Sequence, residues 1–350
     1  LQAYVRFDGQ DTLGFDQASL KLGRQTLSIG SQRVLERVDM ANVIFSYTGA
    51  YFRGVTEDGD ELHLTAFVPT GRMPADRPSL GSNALSADEA QWGRRAYGLH
   101  WRERDFLGAA GLWGEVYLYG LQEGDTTPVA TPNRSYLQPG FRLMRSPAAG
   151  AFDFDIEAAR RTGTRRQTSA GTDTRDLEVE AAMLYAHVGY TFDHPWRPRL
   201  ALDYAFASGD SDPADGRYEQ FERLFGSRRT DLGNTGIHGP LTTANIDAPG
   251  FRVEITPSPR LDARIAYKAA SLAAPRDGWI DARLVDATGQ SGTFIGHAWD
   301  ARGRAWLVPQ SLRLEVGASA LFPGEFARRA PLSPQPDQTL FGYVQLTQAF

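Results

Sequence analysis

The sequence predicts an all-β fold, an antiparallel transmembrane β-barrel, and three observations carry that expectation. Apolar and polar residues alternate with period two in segment after segment. The charged residues of those segments keep to one parity, and the connections between them alternate long and short along the chain. A barrel wall needs all three, because its strands face lipid on one side and a polar lumen on the other.

Composition agrees with this. The 350 residues are 41% hydrophobic and 11% aromatic, with 36 Gly and 20 Pro, too apolar for disorder and rich in turn formers. Mean hydropathy is -0.38, and no apolar run approaches the ~20 residues that a helical span requires. The net charge of -5 comes without a basic tail, so no nucleic-acid partner is expected. The absence of Cys excludes a disulfide framework and a thiolate metal site. No secretory leader precedes the strand-like start Leu1–Phe7. The numbering is therefore expected to begin after processing or inside the mature chain.

Fifteen segments fit the strand pattern in order: near residues 1–8, 17–29, 43–56, 61–69, 94–103, 110–121, 137–145, 151–162, 179–192, 198–208, 249–257, 260–272, 291–302, 310–321 and 339–350. In the eighth, Phe152, Phe154 and Ile156 alternate with Asp153, Asp155 and Glu157. In the tenth, Leu200, Leu202, Tyr204 and Phe206 surround Asp203; in the eleventh, Phe251, Val253 and Ile255 flank Arg252 and Glu254. The twelfth sets Leu261, Ala263, Ile265 and Tyr267 against Asp262, Arg264 and Lys268. The fourteenth sets Leu312, Leu314 and Val316 against Arg313 and Glu315. The last ends on an aromatic residue, Phe350, which looks like the signal read by the outer-membrane assembly machinery. Single-chain bacterial barrels have an even number of strands, so an odd number is expected before Leu1. That makes residues 1–350 one barrel domain, lacking its first few strands, of a protein with roughly 16–18 strands. Its longest connection, 209–248, is expected outside the cell.

Several motifs narrow the class. Leu22-Gly-Arg-Gln25 is followed by Ile29-Gly-Ser-Gln-Arg33; Val188-Gly-Tyr-Thr-Phe192 leads to Tyr204-Ala-Phe-Ala-Ser-Gly-Asp210; Phe221-Glu-Arg-Leu-Phe225, Leu314-Glu-Val-Gly317 and Phe322-Pro-Gly-Glu-Phe326 come later. The ordered set resembles the alginate-export family of outer-membrane proteins, from about residue 17 to the C-terminus. The resemblance implies a narrow, arginine-rich lumen that passes an anionic polysaccharide, and it gives Arg24 and Arg33 the most weight. It also implies about eighteen strands, which agrees with the even total.

Inward parity collects Arg6, Arg94, Arg102, Arg142, Arg161, Arg252, Arg264, Lys268 and Arg313, with Arg24 included if a bulge near Gly23 resets the alternation. The same parity holds Asp153, Asp155, Asp203, Glu254 and Glu315. Arginine suits a carboxylate path because its planar fork matches the carboxylate and keeps its proton. Equally, cations and carboxylates on one parity can form ladders that only brace the wall, so the lumen's net sign stays open. Asp210, Asp212 and Asp215 form an oxygen-rich turn that is a weak metal candidate without the downstream Glu of a calcium loop. No Gly-x-Ser-x-Gly elbow is present and the six histidines scatter, so neither an enzyme nor a cofactor is expected. Trp101, Tyr119, Tyr136, Tyr190, Trp196, Trp279 and Trp306 read as interface girdles. The segment 218–225 reads as a short amphipathic helix narrowing the outer entrance, with Arg223, Arg228 and Arg229 facing solute.

The reading is an outer-membrane channel that passes an anionic polysaccharide or other polar solute by diffusion through a charged lumen. A general small-solute porin and a structural barrel within a larger envelope complex are the alternatives. Expected partners are outer-membrane lipid, the assembly machinery and the solute.

Overall fold

In the computed structural model, residues 2–38, 44–126, 129–227, 231–235, 238–335 and 337–349 are described. The strands are β1 (Ala3–Thr12), β2 (Phe15–Gln25), β3 (Tyr47–Val55), β4 (Glu61–Gly71), β5 (Glu89–Ala90), β6 (Arg94–Arg104), β7 (Leu112–Glu123), β8 (Ser135–Arg145), β9 (Ala151–Arg166) and β10 (Asp176–Thr191). They continue as β11 (Arg199–Ala207), β12 (Arg217–Tyr218), β13 (Ile246–Ser258), β14 (Leu261–Ser271), β15 (Gly278–Trp279), β16 (Leu284–Val285), β17 (Phe294–Val308), β18 (Leu312–Pro323) and β19 (Thr339–Gln348). Four of these have two residues. The other fifteen coincide, within six residues at each end, with the fifteen predicted segments, the largest gap being at the end of β17.

Each long strand pairs antiparallel with the next along the chain, from β1–β2 through to β18–β19. Together with β5 and β12 they form one seventeen-stranded sheet. Among the described residues, β1 pairs only with β2 and β19 only with β18. The β1–β2 hairpin turns through Leu13 and Gly14, both at positive φ (56° and 81°), the two-residue geometry that matches strand twist. Short turns at 13–14, 56–60, 105–111, 146–150, 192–198, 259–260 and 309–311 lie at one end. Long connections at 26–46, 72–93, 124–134, 167–175, 208–245, 272–293 and 324–338 lie at the other, and by the rule for such barrels that end faces outward.

Burial is inverted relative to a soluble protein. Leu202 is 71% exposed on the outer face, while its neighbour Asp203 is 4% exposed inside. Val188, Leu200, Val253, Ile265 and Val316 stay exposed, and Glu157, Arg161 and Glu315 are buried. Lipid satisfies the first group; ion pairs hold Glu157 and Glu315, and neutral hydrogen bonds hold Arg161.

Apolar residues of the long connections fill part of the outward half of the barrel. Phe221, Leu232 and Leu241 of connection 208–245 cluster with Trp279 and Leu284 of connection 272–293 and with Phe326 of the short helix Glu325–Arg329. Leu27, Ile29 and Leu35 of connection 26–46 pack against Tyr47, Phe67 and Val179.

Two expectations change here. Residues 219–225 form no helix. Their backbone bonds go to neighbouring segments: Phe221 N–H to the Ser208 carbonyl (2.9 Å) and Glu36 N–H to the Phe225 carbonyl (3.0 Å), with Leu224 at φ 52°. Tertiary pairing has replaced local helix bonds, as expected where a short helix has nothing else to hold it. Tyr119, Tyr136 and Trp279 are not girdle residues either. The two tyrosines point inward, and Trp279 sits in the loop core with its indole N–H on the Pro240 carbonyl. Arg228, Arg229 and Phe350 lie outside the described residues.

Candidate functional site

Arg33 lies at the waist of the lumen. Its Nε donates to Asp231 (2.7 Å), Nη1 to Glu157 (2.7 Å) and Nη2 to Asp155 (2.9 Å), and its guanidinium lies 3.7 Å from the centre of the Tyr185 ring. The local chain is built for this approach. Gly30 has φ 57°, and a Cβ there would stand 2.6 Å from His100 Cε1; only glycine fits the backbone and the space. On the far side, a Cβ on Gly226 would lie 1.8 Å from the Arg33 carbonyl. Connections 26–46 and 208–245 are thereby zipped together, with Ser227 N–H also on the Gln32 carbonyl (2.9 Å) and Leu35 bridged to Phe225.

A cavity lies on each side of this layer. The one toward the short turns, about 200 Å³, is lined by Arg33, Asp153, Asp155, His187, Arg199 and Arg252 among others. There Asp153 takes Arg199, and Arg199 also reaches Glu254 (2.5 Å). Asp203 accepts from His187 Nδ1 (2.6 Å) and Arg252 Nε (2.8 Å), with Lys268 Nζ at 3.8 Å. The cavity toward the long loops, about 430 Å³, is lined by Arg94, Glu123, Arg134, Glu222 and Phe225 among others.

The remaining predicted residues fall as follows. Arg142 bridges Asp155 (2.6 Å) and Glu115 (3.1 Å), and Arg102 stacks on Trp113 beside Glu115. Arg94 meets Glu123 (3.1 Å), and Arg313 meets Glu315 (3.9 Å). Arg161 bonds Gln138 and the Glu222 carbonyl, and Arg264 bonds Asn234 (2.7 Å). Arg6 pairs with Asp8 within β1 (2.7 Å), both of them exposed. Arg24 is the correction: the β1–β2 and β2–β3 registers run through Gly23 without a shift, pairing Arg24 with Ala3 and Leu22 with Val5. No bulge resets the parity, so Arg24 shares the outer face with Leu22 and Val5 and donates to the Asp88 carbonyl (3.0 Å).

Sequence reasoning missed Arg134, Arg165, Arg199, Arg302 and Arg304, and the loop residues Glu222, Asp231 and Asn234. The parity of Asp203 extended back to Arg199, and that of Asp300 forward to Arg302 and Arg304, would have found three of them. The loop residues carried no periodic signal.

The acidic turn does not converge. Asp210 is buried with its N–H on Asp277 Oδ2 (2.9 Å), Asp212 faces Arg276 (3.7 Å), and Asp215 accepts from the Arg217 N–H (2.6 Å). Among the described residues no three His or acidic side chains gather as a metal site. Burial, and then the neighbouring Asp277 charge, push the Asp210 carboxyl up to about 6.

A family model described as alginate export matches residues 1–340. No curated protein matches the chain. Among solved structures, OccK2 (OpdF) of Pseudomonas aeruginosa is similar at TM-score 0.55 and 15% identity, covering 98% of this chain and 78% of that one. OccK2 has also been solved in complex with glucuronate, at TM-score 0.54 and 14% identity, covering 95% and 78%. The outer-membrane protein OprD of the same organism matches at TM-score 0.52 and 14% identity, covering 94% and 76%. A BenF-like porin of Pseudomonas fluorescens Pf-5 matches at 0.54 and 14%, covering 98% and 77%. At these identities the likeness is one of fold.

Proposed function

The chain belongs to the alginate-export family of outer-membrane β-barrel channels, and from that premise we propose that it passes carboxylate-bearing saccharides and similar small anions by diffusion. The observation that carries this reading is a pair of like charges. Arg264 and Arg302 stand directly opposite in the β14–β17 register, on the inward face. Like charges in that position destabilise a sheet. Among the described residues neither has a carboxylate within 4 Å; Arg264 leans on the neutral Asn234 amide instead. Of the carboxylates nearest to them, Asp203 is shared among Arg252, Lys268 and His187, Glu254 is taken by Arg199, Asp262 by Arg304, and Asp300 accepts from the Ser319 hydroxyl. Arginine forks left without a directly bonded carboxylate favour anions in a pore wall, and they suit carboxylates in particular.

Small solutes suit the geometry better than a polymer, because the zipped connections divide the lumen into two cavities. The glucuronate complex of OccK2, similar in fold, adds support for the solute class. Passage of a polyuronate is the second reading, favoured by the family, and it requires connections 26–46 and 208–245 to part.

Planar-bilayer recordings in a KCl gradient test the proposal. A reversal potential on the chloride side is expected, together with faster entry of glucuronate than of glucose into proteoliposomes. A preference for potassium would overturn it. A ladder of oligouronates separates the two readings: exclusion beyond a few sugars supports the small-solute channel, and entry independent of length supports polymer passage.

A further inference from the structure

Glu222 is the only carboxylate among the described residues that reaches Arg165, and it belongs to connection 208–245, not to the wall. Its Oε1 receives Arg165 Nη1 and the Tyr218 hydroxyl (3.1 Å), and its Oε2 receives Arg134 Nη1 (2.7 Å). Arg161 adds a bond from Nη2 to the Glu222 backbone carbonyl (2.8 Å). The arginines are themselves held in place. Arg165 stacks on Tyr218 at 3.9 Å and Arg161 on Phe221 at 4.2 Å, while Arg134 is braced by both oxygens of Glu123 (2.7 Å each). Arg161 is 2% exposed, and its Nη1 has no hydrogen-bond partner among the described residues. A donor is therefore left over in a site already assembled around one carboxylate. Glu222 and Arg134 both line the 430 Å³ cavity toward the long loops, so the site opens where solute would arrive.

We propose that Arg134, Arg161 and Arg165 form a carboxylate-binding subsite at the outer side of the waist, and that Glu222 is its resident ligand, displaced by the carboxylate of an entering solute. The assignment rests on the anion-channel reading and deepens it by naming where a uronate first docks. Burial alone would push the Glu222 carboxyl up, yet the three guanidiniums outweigh it and hold the group below its ordinary range. Glu222 is thus an anion in place, competing with solute at an effective concentration set by its tether. Displacement also frees the backbone next to Phe225, which is part of the zipped contact, so solute binding and loosening of connection 208–245 share one event.

The test uses the full chain in planar bilayers, with glucuronate titrated into the chamber facing the long loops and glucose as the neutral control. Interruption of the chloride current gives the apparent affinity. Glu222→Gln is expected to bind glucuronate at about tenfold lower concentration, since one charge-assisted competitor is removed, with glucose unchanged. Adding Arg165→Gln should abolish that gain. Glucuronate affinity within twofold of wild type in Glu222→Gln, or a gain that survives Arg165→Gln, would overturn the assignment. Should Glu222→Gln fail to assemble, Glu222→Asp, which withdraws the carboxylate by one methylene, is expected to give roughly a threefold gain, and no gain would overturn the proposal. The reversal potential of the wild type is a separate readout, so failure of the anion-channel reading is distinguishable from failure of this one.

Discussion

The Arg33 guanidinium lies over the ring of Tyr185 while holding Asp155, Glu157 and Asp231. One side chain therefore joins connection 26–46 to β9, β10 and connection 208–245. Removing it in Arg33→Ala leaves the buried Glu157, and the half-buried Asp231 beside it, without their cation. Breaking a buried pair from one side costs about 3–5 kcal/mol, so the unfolding midpoint in detergent should fall clearly. Conductance should rise and shift toward cations as the waist loosens. Arg33→Lys keeps the charge but not the fork and should fall between. An unchanged midpoint in Arg33→Ala would show that the waist is held by other contacts.

The wall was legible in the sequence and the plug was not, for a physical reason. Leu202 and Asp203 differ in environment because each strand residue faces opposite its neighbours, and that alternation is written in the order of residues. Arg24 was misplaced because Gly23, at φ 130°, reads in sequence as a bulge, although the observed register stays continuous. Arg302 was missed because the predicted segment ended on it. Glu222 and Asp231 sit in irregular chain, where position is set by long-range contacts such as Gly226 against Arg33, and spacing carries no trace of these. Tyr119 lies on the inward parity of Glu115, and an aromatic near a strand end is ambiguous unless that parity is applied.

Asp210 makes the order of connection 208–245 depend on pH. Its carboxyl titrates near 6 instead of 3.8 because it is buried and faces Asp277, with Glu219 and Asp215 adding repulsion. Between these values the folded form keeps a proton that the unfolded chain has lost. Its stabilising contribution is therefore full below about 3.8 and is lost as pH rises through about 6. Amide protection in residues 208–227, taken relative to the intrinsic exchange rate at each pH, should fall from about pH 5 to about pH 7.5, and Asp210→Asn should flatten that fall. An equal fall in the variant would assign the effect to another group.

Gly30 allows connection 26–46 to touch the wall. Alanine there meets both a left-handed φ and His100 at 2.6 Å, and strain of this kind costs roughly 1–3 kcal/mol. Gly30→Ala should loosen this connection without disturbing the β-barrel: proteolysis between residues 26 and 46 accelerates while the far-ultraviolet dichroism stays fixed. Protection equal to wild type would mean the connection is held without this contact.

Leu202 offers the most direct test of the inverted arrangement. It lies mid-strand between Val188 of β10 and Phe251 of β13, its register partners, and all three are exposed on the outer face. In a soluble protein an exposed leucine on a strand tolerates arginine with little loss. In a bilayer the same change places a guanidinium among acyl chains and costs about 2–4 kcal/mol near the midplane. Leu202→Arg should therefore lower the urea midpoint for folding into phospholipid vesicles by that amount. Leu200→Arg, two residues nearer the short turn at 192–198, should cost less, since the penalty falls toward the interface. The depth dependence is the deciding feature, because a packing defect would not follow distance from the membrane centre. Equal penalties at Leu200 and Leu202, or none at either, would contradict a lipid-facing β11.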